Sequence, residues 1–311
     1  MNRELSMKWL SALTVMVFSM SLGDWVFGRI IPALVYEGSL PPMGWLLPYL
    51  ALFFANSVAI FAACSMVLFG WMIRARVPAL ALFYVVFAVL LLIAPIFQPG
   101  ALGQTFLAIL TAVLLLVNLL TALRVMDVSL VEKITLTSFT AQFLIAYHYV
   151  FGATVWQSFG ATTAPMTTLA IGVAETLAVL NGFLAFLAWA PPWREIQRPA
   201  LYSAVALVVI GALLVARGGV SATTAVLWAV GNTLFLPWMV YALSLFFFLV
   251  TTVSALLSPQ NRVFGAALLL IFLAGLTPLT TYDLLLAALG LGLAGFKGLT
   301  SEPEEKAPMV A

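Results

Sequence analysis

The stretch that decides the fold is Pro165–Trp193, which reads PMTTLAIGVAETLAVLNGFLAFLAWAPPW. It is longer than the roughly 20 largely apolar residues that a helix needs to cross a bilayer. Its single carboxylate, Glu175, lies about 15 Å along such a helix, near the bilayer midplane. A carboxylate at that depth is costly unless it is protonated, paired or hydrated. We therefore expect Glu175 to point into the protein.

The helical face that carries Glu175 is otherwise built from small residues, Thr168, Gly172, Ala178 and Gly182. Small side chains let a second membrane helix pack closely against the first. Two roles for Glu175 remain open. It is either a coupling carboxylate that binds and releases a proton, because desolvation raises the pKa of a buried carboxyl group, or a protonated group that ties two helices together.

The composition of the whole chain extends this membrane interpretation. Hydrophobic residues make up 64% and charged residues only 8%, against about 25% charged residues in soluble domains. The apolar runs are continuous and do not alternate with period two, which excludes a β-barrel. The net charge of +2 is carried by short loops and gives no indication of nucleic-acid binding. The sequence thus predicts an all-α, polytopic integral membrane helix bundle.

About ten transmembrane helices are predicted, with residues 1–297 forming the bundle and residues 298–311 a disordered cytoplasmic tail. The predicted spans are Met7–Val26, Leu46–Ile73, Val77–Phe97, Ala101–Leu123, Ile134–Trp156, Met166–Ala188, Ala200–Ala216, Ala222–Val250, Val263–Thr277 and Tyr282–Phe296. If the N-terminus is cytoplasmic, these spans place all but two of the 13 lysines and arginines, Arg29 and Arg217, on the inner side. The positive-inside rule therefore favours two cytoplasmic termini and a location in the cell membrane.

A small polar site is predicted on the fifth span. The only histidine of the chain, His148, is flanked by tyrosines, and Gln142 shares a helical face with Tyr149. His148 is either a proton relay or a hydrogen-bond donor to a quinone carbonyl, or it is a buried histidine bonded to a neighbouring group. One histidine cannot supply the paired axial ligands of a bis-histidine haem.

Further candidates are buried amides and charges at the outer end of the first span. The amides expected to be buried are Asn56, Asn118, Asn181 and Asn232. Interhelical hydrogen bonds explain most buried amides in membrane helices. A helix kink expected at Pro237 also makes Asn232 a candidate for a binding site. Asp24 and Arg29 are either interfacial charges or part of a substrate site, with Arg217, Glu37 and Asp283 as possible partners.

Several kinds of chemistry are absent from the sequence. It contains no H-E-x-x-H, no histidine pair for a metal, no G-x-S-x-G and no Walker sequence. The single cysteine, Cys64, lies in an apolar run and is expected to be a small buried hydrophobe. We predict no metal and no covalently bound cofactor, and we do not expect the chain to be an enzyme on its own.

The size and topology of the chain resemble those of the drug/metabolite transporter superfamily, although its halves show no convincing five-plus-five repeat. This resemblance and Glu175 imply a secondary transporter of a small, largely apolar or weakly polar substrate, coupled to protons through the glutamate. The alternative is a haem-free integral membrane subunit of a respiratory complex. Such a subunit anchors a cytochrome or iron–sulfur partner and binds quinone near His148.

Overall fold

The computed structural model describes residues 3–36, 38, 41–97, 101–158, 167–209, 212, 238–276 and 281–297. Within these residues the chain is helical and contains no strand, as the sequence predicts. The helices are α1 (Arg3–Trp25), α2 (Ile31–Tyr36), α3 (Leu47–Ile73), α4 (Pro78–Phe97), α5 (Ala101–Val125), α6 (Leu130–Ser158), α7 (Thr167–Trp189), α8 (197–209), α9 (Trp238–Leu257), α10 (Arg262–Leu276) and α11 (Thr281–Gly295).

Five helical stretches of the described chain are long and apolar enough to cross a membrane. They are Glu4–Tyr36, Leu47–Ile73, Thr105–Val125, Gly172–Trp189 and Met239–Leu257. Large apolar side chains such as Leu52, Leu82 and Leu187 are exposed on the outside of the bundle, where a bilayer replaces water as the solvent. These are the features of a multi-pass membrane protein. The count of ten spans and the side of each terminus stay predictions.

The first span continues past its predicted end at Val26. A π-helical turn, Val26–Ile30, joins α1 to α2, and the Ile31 N–H donates to the Val26 carbonyl. Pro32 follows immediately and has no N–H to give to the Gly28 carbonyl, so the regular α-helical ladder is interrupted there. Such π turns inside α-helices are rare and are frequently found at functional sites.

Helix α11 forms the centre of the bundle and packs against α10, α5, α6 and α3. It is apolar on all sides and its residues from Asp283 to Gly295 are buried, as expected of a helix surrounded by other helices. Gly290 permits a close approach of α10, because a Cβ atom there would lie 2.8 Å from the Ala267 carbonyl. The short final pair of spans is therefore the core of the protein.

A polar network links α4, α5 and α11 within this core. The Tyr84 hydroxyl donates to Asn118 Oδ1 at 2.7 Å, and Asn118 Nδ2 donates to the Ala288 carbonyl at 2.8 Å. Tyr84 and Asn118 are both buried, so each hydrogen bond satisfies a group that has no access to water. The prediction of an interhelical hydrogen bond is confirmed for Asn118.

One helix boundary and two burial predictions are wrong. Helix α9 continues to Leu257 and does not end at Val250. The hydroxyls of Thr251 and Thr252 bond to carbonyls one turn earlier in the same helix, so these two polar residues are accommodated without ending it. Cys64 and Asn56 are both exposed on α3 and not buried. An apolar run in a membrane helix suits lipid as well as protein, so apolarity alone does not distinguish the two faces.

Candidate functional site

A half-open cavity of about 100 Å³ lies between α6, α7, α9 and α10. Each helix contributes polar or aromatic side chains to its wall. The polar ones are Gln142, Asn181, Tyr241 and Ser244, and the aromatic ones are Phe139, Phe143, Phe248 and Phe272. A mostly apolar cavity with a few converging polar groups is the usual form of a small-molecule site.

Gln142 and Asn181 form the polar centre of the cavity. Both were predicted as site residues, and the fold joins them: Asn181 Nδ2 donates to Gln142 Oε1 at 2.5 Å. Asn181 is 2% exposed, and its Oδ1 atom accepts no hydrogen bond from the described part of the chain. A buried acceptor without a donor is costly, so a ligand that offers an O–H or N–H group gains a hydrogen bond here.

Aromatic rings form the apolar side of the same cavity. The rings of Phe248 and Phe272 stack with centroids 5.9 Å apart, and Phe139 meets Phe248 edge to face at 6.1 Å. Both arrangements are favourable for aromatic pairs and hold the rings in fixed positions. The wall therefore presents flat, rigid surfaces to a small apolar or aromatic ligand.

The cavity depends on a close crossing of α7 and α9. Ser244 Oγ donates to the Val179 carbonyl at 2.6 Å, which ties the two helices together. Gly182 lies against Ser244 with no room for a side chain, since a Cβ atom there would overlap the serine hydroxyl. The small-residue face that the sequence predicts for α7 is thus the face that packs on α9.

Glu175 lies on the same face of α7, one turn before the cavity. Ala178, Val179 and Gly182 follow it by three, four and seven residues, and all three line the cavity. The carboxylate is half-buried and lies about 12 Å from the N-terminal end of α7 at Thr167. The arrangement places the only acidic residue of this span one helical turn from the cavity wall.

The π turn of the first span gathers a second, charged group of residues. Asp24, Arg29 and Asp283 line a small cavity of about 10 Å³, and Arg29 Nη2 lies 3.5 Å from Asp283 Oδ2. Asp24 and Arg29 are five residues apart and would not face each other squarely on a regular α-helix. The wider π turn brings them to one side, and Asp283 is the partner that the fold selects for Arg29.

A third polar cluster lies at the start of α6, just before the predicted fifth span begins at Ile134. Glu132 accepts hydrogen bonds from the Ser129 N–H and the Trp189 indole, each at 2.8 Å, and forms an ion pair with Lys297. Burial raises the pKa of Glu132, but Lys297 and the two hydrogen-bond donors outweigh it and hold the pKa below its usual range. The cluster joins the ends of α6, α7 and α11.

The side chains of the remaining predicted site residues are not described. Asn232 and Arg217 fall between the described ends of α8 and α9. His148 and Tyr149 belong to α6, but their side chains are not among those described. Their proposed roles therefore stay predictions.

Tyr241, Ser244 and Trp189 were missed at the level of sequence. Tyr241 and Ser244 follow Pro237, the proline that drew attention to Asn232 in the sequence. A polar pair three residues apart in an apolar helix was an available signal. For the Glu132 cluster the signal was Ser129-x-x-Glu132, the pattern of a capping box, and Glu132 N–H indeed bonds Ser129 Oγ at 3.3 Å.

Comparisons with known proteins add no family to these observations. No protein-family model matches the chain, and neither the curated proteins nor the solved structures contain a match. The functional argument therefore rests on the residues of the cavity and of α7.

Proposed function

We propose that the chain is a secondary transporter that carries a small, largely apolar or weakly polar molecule and couples its movement to protons through Glu175. One observation carries the proposal: the helical face of Glu175 continues directly into the wall of the cavity at Ala178, Val179 and Gly182. A protonatable group and a binding site on one face of one membrane helix can respond to each other over a single turn.

The chemistry of Glu175 and of the neighbouring amide pair, Gln142 and Asn181, suits proton coupling. A carboxylate within the hydrocarbon is far more costly when ionised than when neutral, so proton binding changes the preferred surroundings of Glu175. Gln142 lies on α6 and Asn181 on α7, so any shift of α7 against α6 strains or breaks the 2.5 Å hydrogen bond between the two amides. Proton binding thereby changes the geometry of the polar centre that holds the substrate.

The proposal is tested by substrate-driven proton movement in proteoliposomes that contain the purified protein and an internal pH-sensitive dye. A panel of small phenols, aromatic alcohols and amines supplies the donor group and the flat apolar face that the cavity favours. We expect at least one compound to move protons in the wild-type protein. Glu175→Gln should abolish the proton signal, whereas Glu195→Gln, the same change in an exposed loop position, should preserve it.

The binding half of the proposal has its own test. Asn181→Leu removes the polar centre and should weaken binding of the active compound about tenfold or more, the usual effect of losing one well-formed hydrogen bond. Proton movement that persists in Glu175→Gln contradicts the coupling role, and unchanged affinity in Asn181→Leu contradicts the cavity as the substrate site.

A respiratory membrane subunit remains the second candidate, because the amide N–H groups and aromatic wall of the same cavity also suit a quinone. Its test is purification from native membranes in mild detergent, followed by a visible spectrum and identification of co-purifying proteins and quinones. A co-purifying cytochrome or quinone favours this function. A colourless protein that runs alone favours the transporter.

A further inference from the structure

A large open groove runs along the outside of the bundle between α3 and α4. Its volume is about 520 Å³, and every residue that lines it is apolar or, in Cys64, a thiol. Val67, Val89 and Leu92 in its walls are each between 44% and 51% exposed. The groove is separate from the cavity between α6, α7, α9 and α10 and from the residues assigned to proton coupling.

One end of the groove carries positive charge. Trp71 lines the groove, and the guanidinium of Arg74 lies 3.7 Å from the centre of its ring while Nη1 donates to the Trp71 carbonyl at 2.6 Å. Arg76 follows in the same turn, and both arginines are exposed. Neither forms an ion pair with any other described residue. Two cations that have no counter-ion within the described part of the chain thus lie at one end of this apolar groove.

The length of the groove matches one leaflet of a bilayer. From Ala63 to Trp71 the wall on α3 extends about 12 Å at 1.5 Å per residue. The hydrocarbon core of a bilayer is about 30 Å thick, so one leaflet contributes about 15 Å. The tryptophan at the charged end is of the type that lies at the membrane–water interface.

We propose that this groove binds an anionic phospholipid, with an acyl chain along α3 and α4 and the phosphate on Arg74 and Arg76. Guanidinium groups bind phosphate oxygens through strong charge-assisted hydrogen bonds. The apolar groove accommodates an acyl chain of the same lipid molecule. A second copy of the protein is a poorer occupant. Two copies related by an axis along the membrane normal bring their Arg74 and Arg76 pairs together at the same depth, where like charges repel.

The test uses the purified full-length protein, native mass spectrometry, and phosphatidylglycerol and phosphatidylcholine with identical chains. We expect the wild-type protein to retain phosphatidylglycerol in preference to phosphatidylcholine. A cation near a lipid surface contributes about fivefold in affinity, so Arg74→Gln with Arg76→Gln should reduce the preference about thirtyfold. Arg124→Gln, an exposed arginine at the end of α5, is the matched control and should leave the preference unchanged.

A second pair of variants tests the apolar part of the groove. Val89→Trp fills the groove and should reduce retention of phosphatidylglycerol at least tenfold, whereas Val86→Trp, an equally exposed valine of α4 that does not line the groove, should not. Equal retention of both lipids by the wild-type protein overturns the proposal, and so does an unaffected Val89→Trp variant. Efficient oxidative cross-linking of two chains through Cys64, the only cysteine, assigns the groove to a second copy and also overturns it.

Discussion

The contact between Gly182 of α7 and Ser244 of α9 leads to a quantitative prediction. An alanine at position 182 would place its Cβ atom over the Ser244 hydroxyl, 2.5 Å from the Ser244 carbonyl oxygen and 2.9 Å from its carbonyl carbon. Two of these three atoms are backbone, so rotation of the serine side chain cannot relieve the overlap. The helices must separate along their whole contact.

The cost of that separation has two parts. Inserting a methyl group into a well-packed contact costs about 1–3 kcal/mol. Moving α9 away also breaks the 2.6 Å hydrogen bond from Ser244 to the Val179 carbonyl, which contributes about 1 kcal/mol. We therefore expect Gly182→Ala to lower the free energy of unfolding by about 2–4 kcal/mol, even though alanine is the better helix former.

The assay is thermal unfolding of the purified variants in the same detergent, with Gly275→Ala as the control. Gly275 lines the same cavity from α10, but the nearest atom to a new Cβ there is Gln142 Nε2 at 3.9 Å, an ordinary contact. Gly182→Ala should unfold several degrees below the wild-type protein and Gly275→Ala close to it. Wild-type stability for Gly182→Ala would refute the close crossing of α7 and α9.

Three further predictions concern the polar networks. Tyr84→Phe removes the donor to Asn118 Oδ1 and should lower the free energy of unfolding by about 1–2 kcal/mol, measured by thermal unfolding; an unchanged melting temperature would argue against the core network. Glu132→Gln removes the ion pair with the partly exposed Lys297 and should cost about 1–2 kcal/mol at pH 7, whereas Asp127→Gln, an exchange of a neighbouring acid outside the cluster, should cost little. Because folding lowers the pKa of Glu132, its stabilising contribution is complete above the ordinary glutamate pKa of about 4.3 and is lost as the pH falls below it. The difference in melting temperature between the wild-type protein and Glu132→Gln should therefore shrink below about pH 4, and a difference that grows there would contradict the sign.

The helical class and most helix boundaries could be predicted from the sequence, because a bilayer demands continuous apolar runs of a set length. Leu47–Ile73 and Pro78–Phe97 each differ from the predicted spans by one residue. The small-residue face of α7 was also readable, since glycine in a membrane helix usually marks a close contact. These features depend on residues near one another in the chain.

Features that depend on distant residues could not be predicted. The partner of Gln142 is 39 residues away, and nothing local to either residue specifies that it is Asn181 and not another buried amide. The π turn at Val26–Ile30 changes which residues share a face, so a regular helical wheel separated Asp24 from Arg29. The exposure of Cys64 was missed because an apolar side chain suits lipid as well as protein, so apolarity alone does not tell the two faces apart.

The coupling of transport to protons by Glu175 is tested by comparing two transport modes in the same Glu175→Gln proteoliposomes. With the active compound as substrate, we predict that a proton gradient no longer drives its accumulation, while exchange of labelled for unlabelled compound continues, because exchange requires the binding cavity but no change in protonation. Gradient-driven accumulation at the wild-type rate in Glu175→Gln would contradict the account.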